Sequence, residues 1–189
     1  LKTSFLATAG LSLPARSWAQ VTGANNDIRI AVIGFGGRGG SHIDAFSKMP
    51  GVRLVALCDC DTNILAGAAK RLRDKGAAVE TYTDVQKLLE NKNIDAISTA
   101  TPNHWHSLIT VWGCQAGKDV YVEKPVSHNV FEGRQAVEAS RKYRRIVQAG
   151  TQSRSDPAYP EAWAWIREGH LGKIQIARGL CYKPRQSIG

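Results

Sequence analysis

The sequence lacks any apolar run of the roughly 18 residues that a membrane-spanning helix requires, so it predicts a protein without a membrane span. Aromatic residues make up 7% of the chain and do not alternate with basic residues, which argues against a nucleic-acid-binding surface. Cysteine occurs four times without a C-x-x-C pair or zinc-type spacing, so we expect neither a disulfide framework nor a metal site. We interpret these cysteines as free thiols packed in the interior: Cys58, Cys60, Cys114 and Cys181.

Acidic side chains are scarce relative to basic ones, with 16 against 25 and a formal net charge of +9. Such a balance is typical of proteins that bind nucleic acid, an anionic surface or an anionic cofactor. Hydrophobic residues at 43% and charged residues at 22% are ordinary for a globular protein. They exclude collagen-like, coiled-coil and wholly disordered chains.

The first 19 residues have the pattern of an export signal. Lys2 precedes an apolar run over residues 5–13, and Ser17 and Ala19 form a small-residue site after which cleavage is expected. The opening LKTSF resembles the inner part of a twin-arginine signal, which implies an exported, periplasmic protein. The alternative is a buried first helix in a cytoplasmic protein.

Short apolar, β-branched runs alternate with helical patterns over residues 28–150. The predicted strands are 27–34, 52–58, 79–82, 94–100, 120–123 and 146–149, and the predicted helices are 39–48, 63–75, 85–90, 104–116 and 130–145. We expect Asp61 and Asp84 to cap two of these helices. The alternation predicts an α/β fold with a doubly wound parallel sheet, a Rossmann NAD(P)-binding domain.

The pattern changes after Gly150. A helix is predicted over 160–169 and a strand over 173–182, but residues 151–189 are too few for an independent core. The predicted strand also has no partner in the sequence. We therefore expect residues 151–189 to be the incomplete beginning of a second, α+β domain.

Residues 34–39 read GFGGRG, a G-x-G-x-x-G motif between a predicted strand and a predicted helix. Gly34 permits a tight turn, Gly36 leaves room for a pyrophosphate, and Gly39 lets helix and strand pack closely. Because a predicted strand precedes the motif and a predicted helix follows it, as in dinucleotide-binding folds, the context favours dinucleotide binding over a glycine-rich turn without function.

Asp59 ends the second predicted strand and lies 20 residues beyond Gly39. A carboxylate at this position accepts hydrogen bonds from the adenosine ribose and repels a 2′-phosphate, which favours NAD over NADP. Arg38 leaves NADP open, because an arginine near this site can pair with a 2′-phosphate. The alternative for Asp59 is a solvated turn residue.

Thr101, Asn103, His104 and His106 follow the fourth predicted strand, at the sheet edge where ligands bind in parallel α/β folds. Thr101 and Asn103 can instead cap the next helix. The two histidines diverge on a helix, which is poor metal-binding geometry. We expect one histidine near the nicotinamide and the other in a structural role.

Glu123 and Lys124 precede Pro125 at the end of the fifth predicted strand. A lysine there can hydrogen-bond substrate and cofactor hydroxyls, or donate and accept a proton. The alternative is a surface lysine at a strand end.

Six segments together resemble the glucose–fructose oxidoreductase, inositol dehydrogenase and rhizopine-catabolism family, Gfo/Idh/MocA: IAVIGFGGRGGSHIDAF, LVALCDCD, TPNHWHSLI, GKDVYVEKPVSHNVFEGRQ, GTQSRSDP and GHLGKIQIARG. The resemblance covers residues 28–189. It implies a tightly held nicotinamide dinucleotide, a sugar or polyol substrate, a homo-oligomer, and further catalytic residues beyond Gly189. It implies that Lys124 is catalytic and that the cofactor-binding residues are Gly34, Gly36, Gly37, Arg38, Gly39, Asp59, Thr101, Asn103, His104, Glu123 and Lys124.

Three functions remain open. The first is an NAD(P)-dependent oxidoreductase that transfers hydride from or to a sugar or polyol, and the intact Glu123-Lys124-Pro125 triplet favours it. The second is an NAD-dependent glycoside hydrolase of the same fold. The third is a catalytically inactive nucleotide-binding fragment.

Overall fold

The computed structural model of the protein describes residues 27–180, 182 and 184. The predicted export signal lies outside these residues and stays a prediction. The chain divides into two compact units, Leu1–Gly150 and Thr151–Gly189. Within the described part of the chain, no helix combines the length and the apolar character needed to cross a membrane.

The first unit is built on a sheet of six parallel strands. The strands are β1 (Ile28–Ile33), β2 (Val52–Cys58), β3 (Glu80–Tyr82), β4 (Ala96–Thr99), β5 (Asp119–Glu123) and β6 (Val147–Gly150). Their order across the sheet is β3-β2-β1-β4-β5-β6. The order reverses between β1 and β4, so loops on either side of this point diverge and leave a crevice at the carboxyl ends of the strands. The predicted doubly wound Rossmann fold is confirmed.

Five helices connect the strands: α1 (Gly39–Phe46), α2 (Thr62–Asp74), α3 (Val85–Glu90), α4 (His106–Gln115) and α5 (Val130–Tyr143). The Asp61 side chain accepts hydrogen bonds from the amides of Asn63 and Ile64, and Asp84 accepts one from the amide of Gln86. These caps confirm the two predicted helix starts. A 3-10 helix over Asn103–Trp105 precedes α4, so the helix predicted over 104–116 begins as a tighter turn.

The helices cover both faces of the sheet and enclose two apolar clusters. On one face α1 and α2 pack against β1 and β2 through Ile43, Leu65 and Leu72. On the other face α3, α4 and α5 contribute Leu88, Ile109, Cys114 and Ala139 to a larger cluster with β4 and β5. Because both faces are covered, the central strands read as continuous apolar runs rather than alternating ones.

The pairing of β1 with β2 contains one irregularity. Ile30 pairs with Leu54, but the next residue, Ala31, pairs with Ala56. Val55 is therefore an extra residue in β2, as in a β-bulge. Leu54 belongs to the cluster beneath α1 and α2, whereas Ala56 belongs to the opposite cluster.

The second unit begins with a 3-10 helix over Gln152–Ser155 and continues with α6 (Ala158–Arg167). The helix predicted over 160–169 is thus present and starts two residues earlier. The strand predicted over 173–182 is wrong for the described residues, since 173–180 form no strand. A strand needs a hydrogen-bonded neighbour, and none of the described strands pairs with residues 173–180. Trp163 and Trp165 of α6 are exposed, at 58% and 48%.

Candidate functional site

The glycine-rich turn between β1 and α1 packs directly against the loop that follows β4. Gly34 has a φ of +74°, and a Cβ there would lie 2.6 Å from Thr101 Cγ2 and 2.9 Å from the Thr101 backbone nitrogen. Only glycine tolerates both the backbone angle and this close approach. The turn therefore places Thr101 beside the start of the motif.

Of the remaining motif glycines, one packs against backbone, one meets a single side chain, and one faces open space. A Cβ on Gly39 would overlap the carbonyl oxygen of Gly34 and lie 2.9 Å from Phe35 Cβ. A Cβ on Gly36 would meet only Ile64 Cδ1, at 3.3 Å, and one on Gly37 would meet nothing within 4 Å. No side chain caps the first turn of α1. Gly36 and Gly37 thus leave backbone approachable by a ligand.

Asp59 lies at the tip of β2 and is oriented by the backbone around it. Its Oδ2 accepts a hydrogen bond from the Phe35 amide at 3.0 Å, and its Oδ1 accepts one from the Asp61 amide at 3.0 Å. A carboxylate has about four acceptor positions, so two remain for a ligand. The solvated alternative is not what the structure shows, because Asp59 is half-buried and held against the glycine turn.

A cavity of about 670 Å³ opens at this edge of the sheet. Ligand sites typically measure about 300–1,000 Å³, so its size suits a cofactor. Five predicted site residues line it: Gly34, Gly36, Gly37, Asp59 and Thr101. The lining also includes Thr83, Asp84, Val85, Gln86, Trp105, Ile109 and Trp112.

Sequence reasoning missed the aromatic wall of this cavity. The rings of Trp105 and Trp112 lie 6.4 Å apart between centroids, and Trp105 is 41% exposed. Trp105 lies seven residues, about two helical turns, before Trp112. This helical spacing is the signal that could have paired them.

The polar residues of the loop after β4 do not cap the next helix, so the capping alternative is wrong. Neither the 3-10 helix nor α4 has a side-chain cap, so Thr101 and Asn103 do not cap. The Thr101 hydroxyl is 3.1 Å from the Thr99 hydroxyl. His104 is exposed, whereas His106 is buried at 2% exposure. His106 is therefore the structural histidine of the pair.

Glu123, the last residue of β5, is buried in a polar network beneath the sheet edge. Its Oε1 is 3.1 Å from Arg38 Nε and 3.0 Å from His42 Nε2, and His42 Nδ1 is 2.8 Å from Ser98 Oγ. The structure thus places Arg38 on Glu123 rather than on the lining of the cavity. His42 was missed by the sequence analysis, and its signal is a histidine on the buried face of α1 beside Gly39 and Ile43.

Lys124 follows β5 directly and its side chain is exposed. Its amide donates to Glu123 Oε2 at 3.1 Å, so the buried carboxylate also holds the backbone from which Lys124 projects. β5 is two strands from β1 in the sheet, and both strands end at the same edge. Lys124 and the glycine turn therefore occupy the same side of the domain at different positions along it.

Cys58 and Cys114 are buried, as expected, but Cys60 is exposed and lines the cavity. The interpretation of Cys60 as a packing residue is wrong, because β2 ends at Cys58 and Cys60 lies in the loop beyond it. Burial, with a smaller contribution from the Asp59 charge, raises the pKa of Cys58 to about 12. Burial likewise raises the pKa of Cys114. Cys181 lies outside the described residues.

We expect Cys60 to react with a maleimide at neutral pH at least about 10-fold faster than Cys58 or Cys114, because thiolates are the reactive form and burial suppresses them. Peptide mass spectrometry after timed labelling measures the three rates. The Cys60→Ser variant should lose the fast phase. A fast phase that persists in this variant and maps to Cys58 would contradict the buried, protonated state.

No three His, Cys, Asp or Glu side chains within the described residues come together as a metal-binding group. Instead, the Asp59 carboxylate and the His106 ring bond to backbone groups, and the His42 ring bonds to Glu123.

The Gfo/Idh/MocA family model, described as "Oxidoreductase family, NAD-binding Rossmann fold", matches residues 28–151. The chain belongs to the Gfo/Idh/MocA family. This confirms the family resemblance and the NAD-binding fold inferred from the sequence. The matched residues include the glycine turn, Asp59, Thr101 and Lys124.

Curated relatives include an inositol 2-dehydrogenase of Rubrobacter xylanophilus, 30% identical over 159 residues, which cover 83% of this chain and 44% of that protein. A "Glycosyl hydrolase family 109 protein" of Streptomyces niveus is 37% identical over 123 residues, or 62% of this chain and 25% of that protein. The crystal structure of myo-inositol 2-dehydrogenase from Lactobacillus plantarum superposes with a TM-score of 0.70 at 32% identity, covering 78% of this chain and 43% of that one. The chain thus spans less than half the length of these relatives.

Proposed function

We propose that the protein containing this chain is an NAD-dependent oxidoreductase that transfers hydride between the carbinol carbon of a polyol or sugar and nicotinamide. The observation that carries the proposal is the joining of the glycine turn and Asp59. The Phe35 amide inside the motif donates to Asp59 Oδ2, so a hydrogen bond directly joins the backbone proposed to bind the phosphates to the carboxylate proposed to bind the ribose.

The residues present fit a dinucleotide. Gly36 and Gly37 present backbone without side chains at the mouth of the cavity, where α1 begins without a side-chain cap. Helix N-termini of this kind bind pyrophosphate through backbone amides. Asp59 would accept the adenosine ribose hydroxyls, and Thr101 would face the far half of the cofactor. Trp105 and Trp112 supply an apolar wall to the same cavity.

Lys124 is the residue we assign to proton transfer. When bound, the cofactor supplies the nicotinamide carbon that gives or takes hydride. Oxidation of an alcohol also releases the hydroxyl proton, and a lysine amine within hydrogen-bond reach can take it. Lys124 is exposed at the carboxyl edge of the sheet, and its backbone is anchored through Glu123. Asn103 and His104, also exposed on this edge, complete the proposed nicotinamide side.

The substrate class rests on the relatives. Those named inositol 2-dehydrogenase act on a cyclic polyol, and one from Bacillus subtilis, 31% identical over 156 residues, is named scyllo-inositol 2-dehydrogenase (NAD(+)). We therefore propose a cyclic polyol or sugar as substrate. The expected homo-oligomer stays a prediction.

Isothermal titration of the full-length protein with NAD and NADP tests the proposal. We expect NAD to bind more tightly, and Asp59→Asn to weaken NAD binding by about 10- to 100-fold, because hydrogen bonds to a charged group contribute about 1.5–3 kcal/mol. The same variant should also show a smaller preference for NAD over NADP, because the charge that repels a 2′-phosphate is gone.

The matched control is Asp44→Ala, which removes an exposed carboxylate of α1 that does not line the cavity and should leave both affinities unchanged. Failure of both dinucleotides to bind at millimolar concentration contradicts the function. A native preference for NADP contradicts the role of Asp59.

An NAD-dependent glycoside hydrolase is the second candidate, because the family 109 relative is 37% identical over 123 residues of this chain. Both candidates share the cofactor site. One assay distinguishes the two functions. Net reduction of NAD with a free polyol indicates a dehydrogenase, whereas release of an aglycone without net change in NAD indicates a hydrolase.

A further inference from the structure

His106 bridges two loops of the sheet edge with a single ring. It is the first residue of α4 and is 2% exposed. Its Nε2 is 2.8 Å from the carbonyl oxygen of Thr101, and its Nδ1 is 2.6 Å from the carbonyl oxygen of Pro125. The two carbonyls belong to the loops after β4 and β5.

Both partners of the ring are obligate acceptors. A carbonyl oxygen carries no proton, and a neutral imidazole has one N–H and one unprotonated nitrogen. A neutral His106 would therefore direct a lone pair at one of the two carbonyl oxygens at hydrogen-bond distance. Only a ring protonated on both nitrogens donates both bonds.

Two effects oppose a cation here, burial and the positive end of the α4 dipole. Two effects favour it: both hydrogen bonds are charge-assisted, and such bonds are roughly twice as strong as neutral ones. The 2.8 Å separation lies within the range of charge-assisted N–H···O bonds, and the 2.6 Å separation is shorter still. Because the alternative leaves a buried lone pair facing a carbonyl oxygen, we take the doubly protonated form as the favoured one.

The neighbouring residue of α4 strengthens the same connection. Ser107 Oγ donates to the carbonyl oxygen of Val126 at 3.3 Å, so the first two residues of α4 hold consecutive carbonyls of the turn after Lys124. At its other end the bridge holds Thr101, which already packs against Gly34. The start of α4 thus connects the glycine turn to the lysine turn.

We propose that His106 is a positioning residue: held as an imidazolium, it sets the separation between the Thr101 loop and the turn that bears Lys124. It touches neither cofactor nor substrate and acts through the two backbone segments. Its kinetic consequence rests on the proposed oxidoreductase function, whereas its protonation does not. The ring would fix the distance between the nicotinamide side of the cofactor site and the proton-transfer group.

The first measurement is the ring-nitrogen NMR spectrum of the full-length protein at neutral pH, with the His106 signals assigned by their loss in His106→Gln. We expect both nitrogens to carry protons. A spectrum with one protonated and one unprotonated nitrogen overturns the proposal. This result is decisive even if the protein proves to have no dehydrogenase activity.

The second measurement separates positioning from binding. In His106→Leu, which removes both donors, kcat should fall by about 10- to 100-fold, since a misplacement of about 1 Å has effects of this size. NAD affinity, measured by titration, should change by less than about 3-fold, because the Gly36, Gly37 and Asp59 contacts remain. His106→Gln keeps one donor group and should recover part of the loss.

The matched control is His128→Gln, an exposed histidine three residues beyond Pro125, which should leave kcat and NAD affinity unchanged. Equal losses in NAD affinity and kcat would overturn the positioning role. If the leucine variant does not fold, the glutamine variant and the wild-type spectrum decide. Absence of NAD binding in the wild-type protein would instead contradict the proposed function.

Discussion

Replacing Lys124 with alanine in the full-length protein is expected to lower kcat by about 100-fold or more and to leave NAD affinity nearly unchanged. The expectation follows from where the side chain lies. Lys124 follows β5, whereas the glycine turn follows β1, with β4 between them. Loss of a proton-transfer group at one position therefore leaves the phosphate and ribose contacts intact.

Steady-state kinetics with a polyol substrate, combined with NAD titration, measure both quantities. Lys124→Arg is the informative second variant, because it keeps the charge but does not release a proton near neutral pH, so it should be nearly as slow as the alanine variant. Lys92→Ala removes an exposed lysine before β4, at the opposite edge of the sheet, and should behave as wild type. Normal kcat with weakened NAD binding in Lys124→Ala would make the lysine a cofactor ligand instead.

A methyl group on Gly39 is expected to have the largest effect on stability. The added Cβ of Gly39→Ala would overlap the Gly34 carbonyl oxygen, which is backbone and cannot rotate away. The start of α1 would have to move from β1, and we expect the free energy of unfolding to fall by about 3 kcal/mol or more. NAD binding should be lost with it, since the motion separates Phe35 from Asp59.

Gly40→Ala is the matched control one residue along the same helix. Its Cβ would meet only the Phe35 carbonyl oxygen, at 4.0 Å, so the helix should gain about 0.5–1 kcal/mol from the loss of a flexible glycine. Denaturant unfolding of both variants tests the pair. Similar stabilities for the two variants would show that helix and strand are not packed as closely as described.

Local signals in the sequence were sufficient for most of the fold. The apolar runs predicted all six strands, and aspartates at residues 61 and 84 marked two helix starts because capping is a local interaction. The glycine spacing likewise predicted the turn, since backbone angle and close packing each demand glycine at specific positions. Pattern reasoning failed at residues 173–180, where an apolar run exists but no strand in the described part of the chain pairs with it.

The interactions behind the site were harder to predict. His42 and Glu123 are 81 residues apart in sequence and meet only because the fold brings the buried face of α1 to the last residue of β5. The same holds for His106 and Pro125, which are 19 residues apart. The hydrophobic periodicity and the composition of a sequence indicate whether a residue is buried, but they do not indicate which residue it contacts. His42 was therefore missed by the sequence analysis, which expected one structural histidine in the loop after β4 without identifying it as His106.

The extra residue in β2 marks a point where this strand could lose a residue and keep its register with β1. Val55 interrupts the alternation of the strand, and the residues on both sides of it keep their partners in β1. A chain without Val55 would retain both pairings and still deliver Asp59 to the glycine turn. A deletion between Ala56 and Cys58 would instead turn the carboxylate to the opposite face of the sheet. Gaps in alignments of β2 therefore belong at Val55, and a misplaced gap would exchange Asp59 with Cys60 when cofactor preference is inferred for a relative.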